Sequence, residues 1–249
     1  RYDLARTQQE LGSSPHTLVG LESKVRDPRE DLRWLELALE RFEELARERP
    51  EASSAARRAA EVRVEMATRR TQLREFDAAQ REYEAAVAAF ERLLADFPAQ
   101  VGYYDSLSGA LYNSSLLAAM RNEGERRQAL LERAEQVLQT VSERAPLTPR
   151  QARTRVLVIA QMGDALAKGE PSAAAFERAL ALGEPLLEQE RDGTLRVALA
   201  WAASRLAGVR LAAGQTELCA AAAERLAALA ARPVDQVWAA SWFAQCSAA

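Results

Sequence analysis

Few side chains in this sequence have the type and spacing that catalysis or metal binding requires. His16 is the only histidine and has no cysteine nearby in the sequence, so it is expected to be a loop residue rather than a catalytic base or a metal ligand. The His-Glu-x-x-His motif, the Cys-x-x-Cys pair and the glycine-rich phosphate loop are all absent from the sequence. The sequence therefore predicts no catalytic residue, no metal site and no cofactor.

Carboxylates are abundant, and two neighbouring pairs could be imagined as acid–base dyads: Glu43 with Glu44, and Glu132 with Glu135. General acid–base catalysis needs carboxyl groups whose environment shifts their pKa. Both pairs lie opposite the apolar side of a predicted helix, where water solvates charged side chains. We expect all four to belong to a solvated helix surface.

The chain has two cysteines, Cys219 and Cys246, both among alanines on predicted helices. A disulfide framework is typical of shorter chains with more cysteines. Isolated cysteines more often serve as small buried apolar side chains. We therefore expect two buried cysteines rather than a disulfide framework.

Charge and hydropathy exclude two classes of partner. A net charge of -3 and a pI near 5.5 do not fit the basic surface of a nucleic-acid-binding protein. No apolar run approaches the ~18–20 residues of a membrane span, so direct membrane insertion is not predicted. The sequence opens at Arg1 within a helical pattern and without an initiator methionine. We therefore expect a piece of a longer protein, with targeting segments outside it.

Helical periodicity is strongest over residues 77–97. Asp77 with Gln80 predicts an N-cap and capping box, and Pro98 predicts the helix end. Two further N-caps are predicted at Asp27 and Thr148, each followed by a proline at the first helical position. Apolar side chains recur over residues 77–97 at spacings of three and four, which places them on one side of a helix. These residues are Ala79, Tyr83, Val87, Phe90, Leu94 and Phe97.

The same pattern recurs with a period of 48 residues. Such a repeat predicts helical hairpins that stack because no single hairpin can bury its apolar side alone. The matching positions are Leu35, Tyr83 and Leu131, then Phe42, Phe90 and Leu138, then Pro50, Pro98 and Pro146. The first helix of each hairpin has a small residue at one equivalent position, which favours a close crossing of the two helices. These small residues are Gly12, Ala67, Ser115, Gly163 and Gly208.

We predict an all-α, right-handed α-solenoid of about five helix pairs plus a terminal helix. It forms a single domain over residues 1–249, with an inserted loop from Ser13 to about Val25 after a first helix over residues 1–12. Gly183 and Pro185 predict a kink or short break near Glu184. The repeat units span residues 1–50, 51–98, 99–146, 147–193 and 194–233, and the terminal helix spans residues 234–249.

These units resemble tetratricopeptide repeats, because Ala79 and Tyr83 match the alanine and aromatic positions of that consensus. They also resemble the long repeats C-terminal to bacterial serine/threonine protein kinases. The resemblance is carried by Tyr2-Asp3-Leu4-Ala5 with Leu11-Gly12, and by Phe90-Glu91-Arg92-Leu93-Leu94-Ala95-Asp96-Phe97-Pro98. The chain has no kinase motif of its own, so the resemblance implies a module beside a kinase domain in a larger signalling protein.

The resemblance implies a non-catalytic scaffold or sensor that binds a protein or peptide segment on the concave face of the first helices. An asparagine two residues before the small position often contacts the ligand backbone in such repeats, and Asn113 stands there. The predicted partner-binding residues are Glu65, Tyr103, Tyr104, Tyr112, Asn113, Gln161, Asp164 and Arg205. Together they predict a polar, mildly acidic groove that suits a neutral or basic segment. For Tyr103 and Tyr104 the alternative is packing at the helix junction.

The terminal helix carries Trp238, Trp242 and Phe243. One interpretation is a cap over the last hairpin. The alternative is an exposed apolar patch that forms a homodimer, which would make the chain a self-association module that brings kinase domains together. The compartment stays open: the parent protein is expected to be bacterial and membrane-anchored, with this module on either side of the membrane.

Overall fold

The computed structural model of the chain describes residues 27–49, 53–166, 169–189, 193–229 and 233–248. Every regular element within these ranges is helical. The predicted first helix over residues 1–12, the inserted loop and His16 lie outside the described residues.

Ten α-helices and one 3₁₀-helix make up the described structure. They are α1 (Pro28–Glu48), α2 (Ser53–Gln72), α3 (Phe76–Asp96), α4 (Val101–Met120), α5 (Gly124–Ser142), α6 (Pro149–Ala165), α7 (Glu170–Gly183), the 3₁₀-helix Glu184–Gln189, α8 (Thr194–Ala212), α9 (Thr216–Leu229) and α10 (Pro233–Ala248).

The chain divides into two compact units: unit 1 ends at Glu123 and unit 2 begins at Gly124. In unit 1, α2 packs on α1 and α3, and α4 packs on both α3 and α2. In unit 2, successive helices from α5 to α10 pack on one another, and α8 also contacts α6 and α10. Successive hairpins whose alternate helices touch are the packing of an α-solenoid. This confirms the predicted fold class; the continuity of one domain over residues 1–249 stays a prediction.

The positions that recur every 48 residues form the core. In the second helix of each hairpin, the apolar columns predicted from the repeat are almost fully inaccessible to water. The buried residues of these columns are Leu35, Tyr83, Leu131, Phe42, Phe90 and Leu138. Between them runs a further buried column of alanines, Ala38, Ala86 and Ala134. A small side chain in this column allows the helices to approach closely.

The small position of the first helices is buried at Ala67, Ser115 and Gly163. A Cβ atom added to Gly163 would lie 3.1 Å from the ring of Phe176 on α7, so a larger side chain would push the two helices apart. The close crossing predicted at Gly163 is therefore confirmed. At Gly208 the space is filled differently, because a Cβ atom added there would lie 3.1 Å from the ring of Trp242 on α10.

Helix starts follow the predicted caps at two of three sites. Asp27 accepts a hydrogen bond from the Arg29 backbone nitrogen at 3.0 Å, and Thr148 forms a capping box with Gln151. The predicted N-cap at Asp77 is wrong, because α3 begins one residue earlier, at Phe76. The Asp77 carboxylate instead accepts a hydrogen bond from Arg121 Nη1 at 2.6 Å. This hydrogen bond lowers the pKa of Asp77 below its usual value.

The predicted break near Glu184 is confirmed. Helix α7 ends at Gly183, and the chain continues from Glu184 as a 3₁₀-helix. Pro185 lacks the N–H that an α-helix would need at this point. A Cβ added to Gly183 would lie 2.5 Å from Leu199 Cδ2, so glycine is also required here for the contact with α8.

Tyr83 makes the stability of unit 1 sensitive to alkaline pH. Its hydroxyl lies 3.2 Å from Thr68 Oγ1, and burial raises the pKa of Tyr83 above its usual value, although hydrogen bonds with Thr68 and Thr71 oppose this. Because the unfolded chain then loses the phenolic proton at lower pH than the folded chain, this stabilisation is complete below about pH 10 and is lost as the pH rises further. We expect the melting temperature to fall more steeply above about pH 10 in the wild type than in Tyr83→Phe. Equal slopes in thermal melts across this range would contradict the prediction.

Candidate functional site

The candidate site lies on the first helices of the hairpins. We call α2, α4, α6 and α8 the A helices and α1, α3, α5, α7 and α9 the B helices. The predicted partner-binding residues all lie on A helices. We describe this A-helix face separately for unit 1 and unit 2.

In unit 2 the structure brings three predicted residues together. Asp164 on α6 forms an ion pair with Arg205 on α8 at 2.5 Å, so the pair joins two successive A helices. Arg127 Nη2 donates to the other Asp164 oxygen at 2.9 Å and to Gln161 Oε1 at 2.6 Å. Four polar side chains thus form one connected cluster, and their mutual contacts restrict their rotamers.

Exposure differs sharply within this cluster. The side chain of Arg205 is 52% exposed, that of Asp164 21% and that of Arg127 14%. Arg205 is therefore the side chain of this cluster that a partner could contact directly. Asp164 holds the Arg205 guanidinium group, and Arg127 in turn holds Asp164. Two arginines face one aspartate here, so this part of the A-helix face is not acidic, contrary to the expectation from the sequence.

Arg127 belongs to this cluster but was not predicted from the sequence. It lies in the first turn of the B helix α5, 48 residues after Ala79, at the position where the repeat consensus has alanine. An arginine at a position that the repeat places on the apolar side of the helix was the signal that could have found it. Its guanidinium reaches α6, where it finds both Gln161 and Asp164.

Tyr103 belongs to the core rather than to a binding surface. Helix α4 begins at Val101, so Tyr103 and Tyr104 lie inside the helix. Tyr103 is only 6% exposed, its hydroxyl donates to Ser53 Oγ at 2.6 Å, and its ring meets Phe97 edge-on. The packing alternative is therefore correct for Tyr103. Tyr104 is partly exposed, and its hydroxyl donates to the Pro98 carbonyl oxygen at 3.2 Å.

The remaining predicted residues of unit 1, Glu65 on α2 and Tyr112 with Asn113 on α4, are all partly exposed. Next to them, Arg57 and Arg58 pair with Glu61 at 2.9 and 2.8 Å. Two arginines thus face one carboxylate on α2. The A-helix face of unit 1 is thus polar and partly accessible.

Glu135 is buried, contrary to the prediction that both carboxylate pairs lie on a solvated helix surface. It is 7% exposed, not solvated, because Arg155 on α6 and Arg178 on α7 both pair with it, at 2.8 and 2.5 Å. Burial is possible because the guanidinium groups neutralise the carboxylate and satisfy its lone pairs. This arrangement ties three helices together. The partner of the imagined dyad, Glu132, is exposed as predicted.

The cysteines also differ from the prediction. Cys219 and Cys246 are buried as expected, but they are joined in a disulfide with Cα atoms 6.0 Å apart. The sequence pattern missed this because the two residues are 27 positions apart and meet only when α10 folds back on α9.

The terminal helix acts as a cap through Trp242. Its indole Nε1 donates to Ser204 Oγ on α8 at 3.0 Å, and its ring covers Gly208. Trp242 thus packs within its own chain, which supports the cap interpretation; the homodimer stays untested. Phe243 is partly exposed, and the side chain of Trp238 lies outside the described residues.

Membrane spans and clustered metal ligands are both absent from the described ranges. No helix there is both long and apolar enough to cross a bilayer. No group of three or more histidine, cysteine, aspartate or glutamate residues there has the arrangement of a metal site.

The fold of the described residues is an all-α solenoid of tetratricopeptide-like helical hairpins. The crystal structure of BtubC (BKLC) from P. vanneervenii is similar, with a TM-score of 0.60 over 90% of this chain and 88% of that chain, at 13% identity. At this identity the similarity shows the fold alone.

Two other solved structures match with TM-scores below 0.5. One is a thermophilic TPR protein of Thermus thermophilus, with a TM-score of 0.42, 22% identity, and coverage of 96% of this chain and 99% of that chain. The other is a putative kinesin light chain of Podosopora anserina with TPR-like repeats, with a TM-score of 0.46, 15% identity, and coverage of 92% of both chains. No protein-family model and no curated protein matches the chain.

Proposed function

We propose that this chain is a non-catalytic protein–protein interaction scaffold that holds a partner segment on its A-helix face. The observation that carries the proposal is the half-exposed Arg205, which Asp164 and Arg127 hold in place across two A helices. An oriented arginine fork on a rigid helical surface can recognise a partner at low entropic cost. Solenoids of helical hairpins commonly present extended binding surfaces, so the fold supports the same function.

The ion pairs of the A-helix face suggest the chemistry of the partner. In both units the acidic residues of the A-helix face pair with arginines, as in Arg57 with Glu61 and Arg205 with Asp164. A surface whose carboxylates are already paired and whose arginines present N–H donors suits the backbone carbonyl groups of a neutral, extended segment. Asp164 engages only part of the Arg205 fork, which leaves N–H groups that can donate to a carbonyl of the partner.

The finer part of the proposal places the scaffold in a larger bacterial signalling protein, beside a serine/threonine kinase domain. The repeated Phe-Glu-Arg-Leu-Leu-Ala-Asp-Phe-Pro type of helix end, seen here over residues 90–98, supports this by sequence resemblance. Sequencing the gene on both sides of this segment tests it. A reading frame without a kinase domain would remove this part and leave the scaffold proposal standing.

Substitution of the exposed arginine tests the binding surface. A peptide selected from a random library on the intact chain supplies the probe, and fluorescence anisotropy measures its affinity. We expect Arg205→Ala to weaken binding about tenfold or more, because a hydrogen bond to a charged group is worth about 1.5–3 kcal/mol. The triple variant Glu65→Ala, Asn113→Ala and Gln161→Ala should also bind more weakly, with a nearly unchanged melting temperature.

Arg92→Ala is the matched control, because Arg92 is an exposed arginine on the B helix α3. It should bind the peptide as the wild type does. Unchanged affinity in both A-helix variants, or a larger loss in Arg92→Ala, would refute the assignment of the binding surface to the A helices.

A further inference from the structure

The disulfide joins the last described helix to the hairpin before it. Cys219 lies in the first turns of α9 and Cys246 near the end of α10. They are the only two cysteines of the chain, and their side chains are 0% and 7% exposed. The single possible disulfide of this chain therefore attaches α10 covalently to the core of unit 2.

Helix α10 packs against α9 and α8. Within the described residues, its buried contacts are Ala239, the half-buried Trp242 ring over Gly208, and Cys246 itself. A polar contact, Trp242 Nε1 to Ser204 Oγ, adds to these. Among the described elements α10 has neighbours on one side only, so it is expected to open locally more often than the helices inside the unit.

We propose that the Cys219–Cys246 disulfide is a redox-controlled latch that holds α10 over α8 and α9. When the bond is closed, α10 cannot move away from α9 at its C-terminal end, and Trp242 stays over Gly208. When the bond is open, α10 undocks readily and uncovers the surface of α8 around Ser204 and Gly208. The latch thus couples the redox state of two sulfur atoms to the accessibility of one A helix.

The chemical step is thiol–disulfide exchange with an external disulfide, RSSR. The two cysteine thiols become one S–S bond, two RSH molecules leave, and the two electrons and two protons pass to the external disulfide. The reverse reaction needs a thiolate to reach a buried sulfur atom. Because both sulfur atoms are covered, we expect α10 to open before reduction, so native reduction should be slow. Such bonds persist in oxidising compartments, which is where the closed latch would be found.

Hydrogen exchange of the full chain tests the latch. The oxidised protein is compared with protein that was reduced in denaturant and refolded with reductant, and mass spectrometry follows the backbone amides. We expect the amides of α10 to exchange at least about tenfold faster in the reduced protein. The amides of α1 to α4, in unit 1, should be unchanged.

Cysteine variants keep the test decisive if the reduced protein refolds poorly. Cys246→Ala should show the same fast exchange in α10 and should no longer respond to reductant, while Ser241→Ala, on the exposed side of α10, should behave as the wild type. Equal exchange of α10 in oxidised and reduced protein would overturn the proposal. So would loss of protection throughout unit 2, which would make the bond a general staple, or two titratable thiols in air-oxidised protein.

Discussion

Replacing Phe90 with alanine is expected to lower the free energy of unfolding of unit 1 by about 3–5 kcal/mol, as phenylalanine-to-alanine changes in cores usually do. Phe90 is 1% exposed and occupies the column of large residues that the repeat places in every second helix. Its loss removes apolar burial and leaves a cavity that helices fixed by neighbours on both sides cannot close. Urea denaturation followed by circular dichroism measures the change.

Leu37→Ala is the control for this prediction. Leu37 is a large apolar residue of the same unit but is 43% exposed on α1, so its removal should cost only a few tenths of a kcal/mol. Similar losses in Phe90→Ala and Leu37→Ala would show that the 48-residue column is not the core of the hairpins.

Replacing Asp31 with alanine is expected to cost about 3–5 kcal/mol, the range found when one partner of a buried ion pair is removed. Asp31 Oδ2 lies 3.1 Å from Arg69 Nε, and the two side chains are 5% and 13% exposed. Without the carboxylate, a largely buried guanidinium on α2 loses the charge that compensates its desolvation. The same urea titration measures the loss.

Glu30→Ala separates this effect from the general benefit of acidic residues in the first turn of a helix. Glu30 precedes Asp31 in α1 but is exposed, so its removal should cost less than about 1 kcal/mol. In the double variant Asp31→Ala with Arg69→Met, the total loss should be smaller than the sum of the single losses. Equal losses for Glu30 and Asp31, or full additivity in the double variant, would contradict the buried ion pair.

The buried ion pairs could be predicted from the sequence only in part. Asp31 stands 48 residues before Ala79, which the pattern places on the apolar side of its helix. Its charge is tolerated only because Arg69 lies on the helix packed against it. Arg69 stands two residues after the small residue Ala67. A buried arginine recurs at the equivalent position, Arg210, two residues after Gly208, and it pairs with Glu170 and Glu177. Periodicity predicts which positions are buried, but it does not show which charged groups meet.

The sequence by itself determined the helices, the apolar columns, the caps at Asp27 and Thr148 and the break at Glu184. Each of these depends on residues within one helix or on a period that repeats along the chain. The tertiary structure decided which residues meet across helices: Arg127 with Asp164, Tyr103 with Ser53, and Cys219 with Cys246. Their encounters depend on the rotation and crossing of packed helices, where a shift of a few ångströms exchanges one neighbour for another.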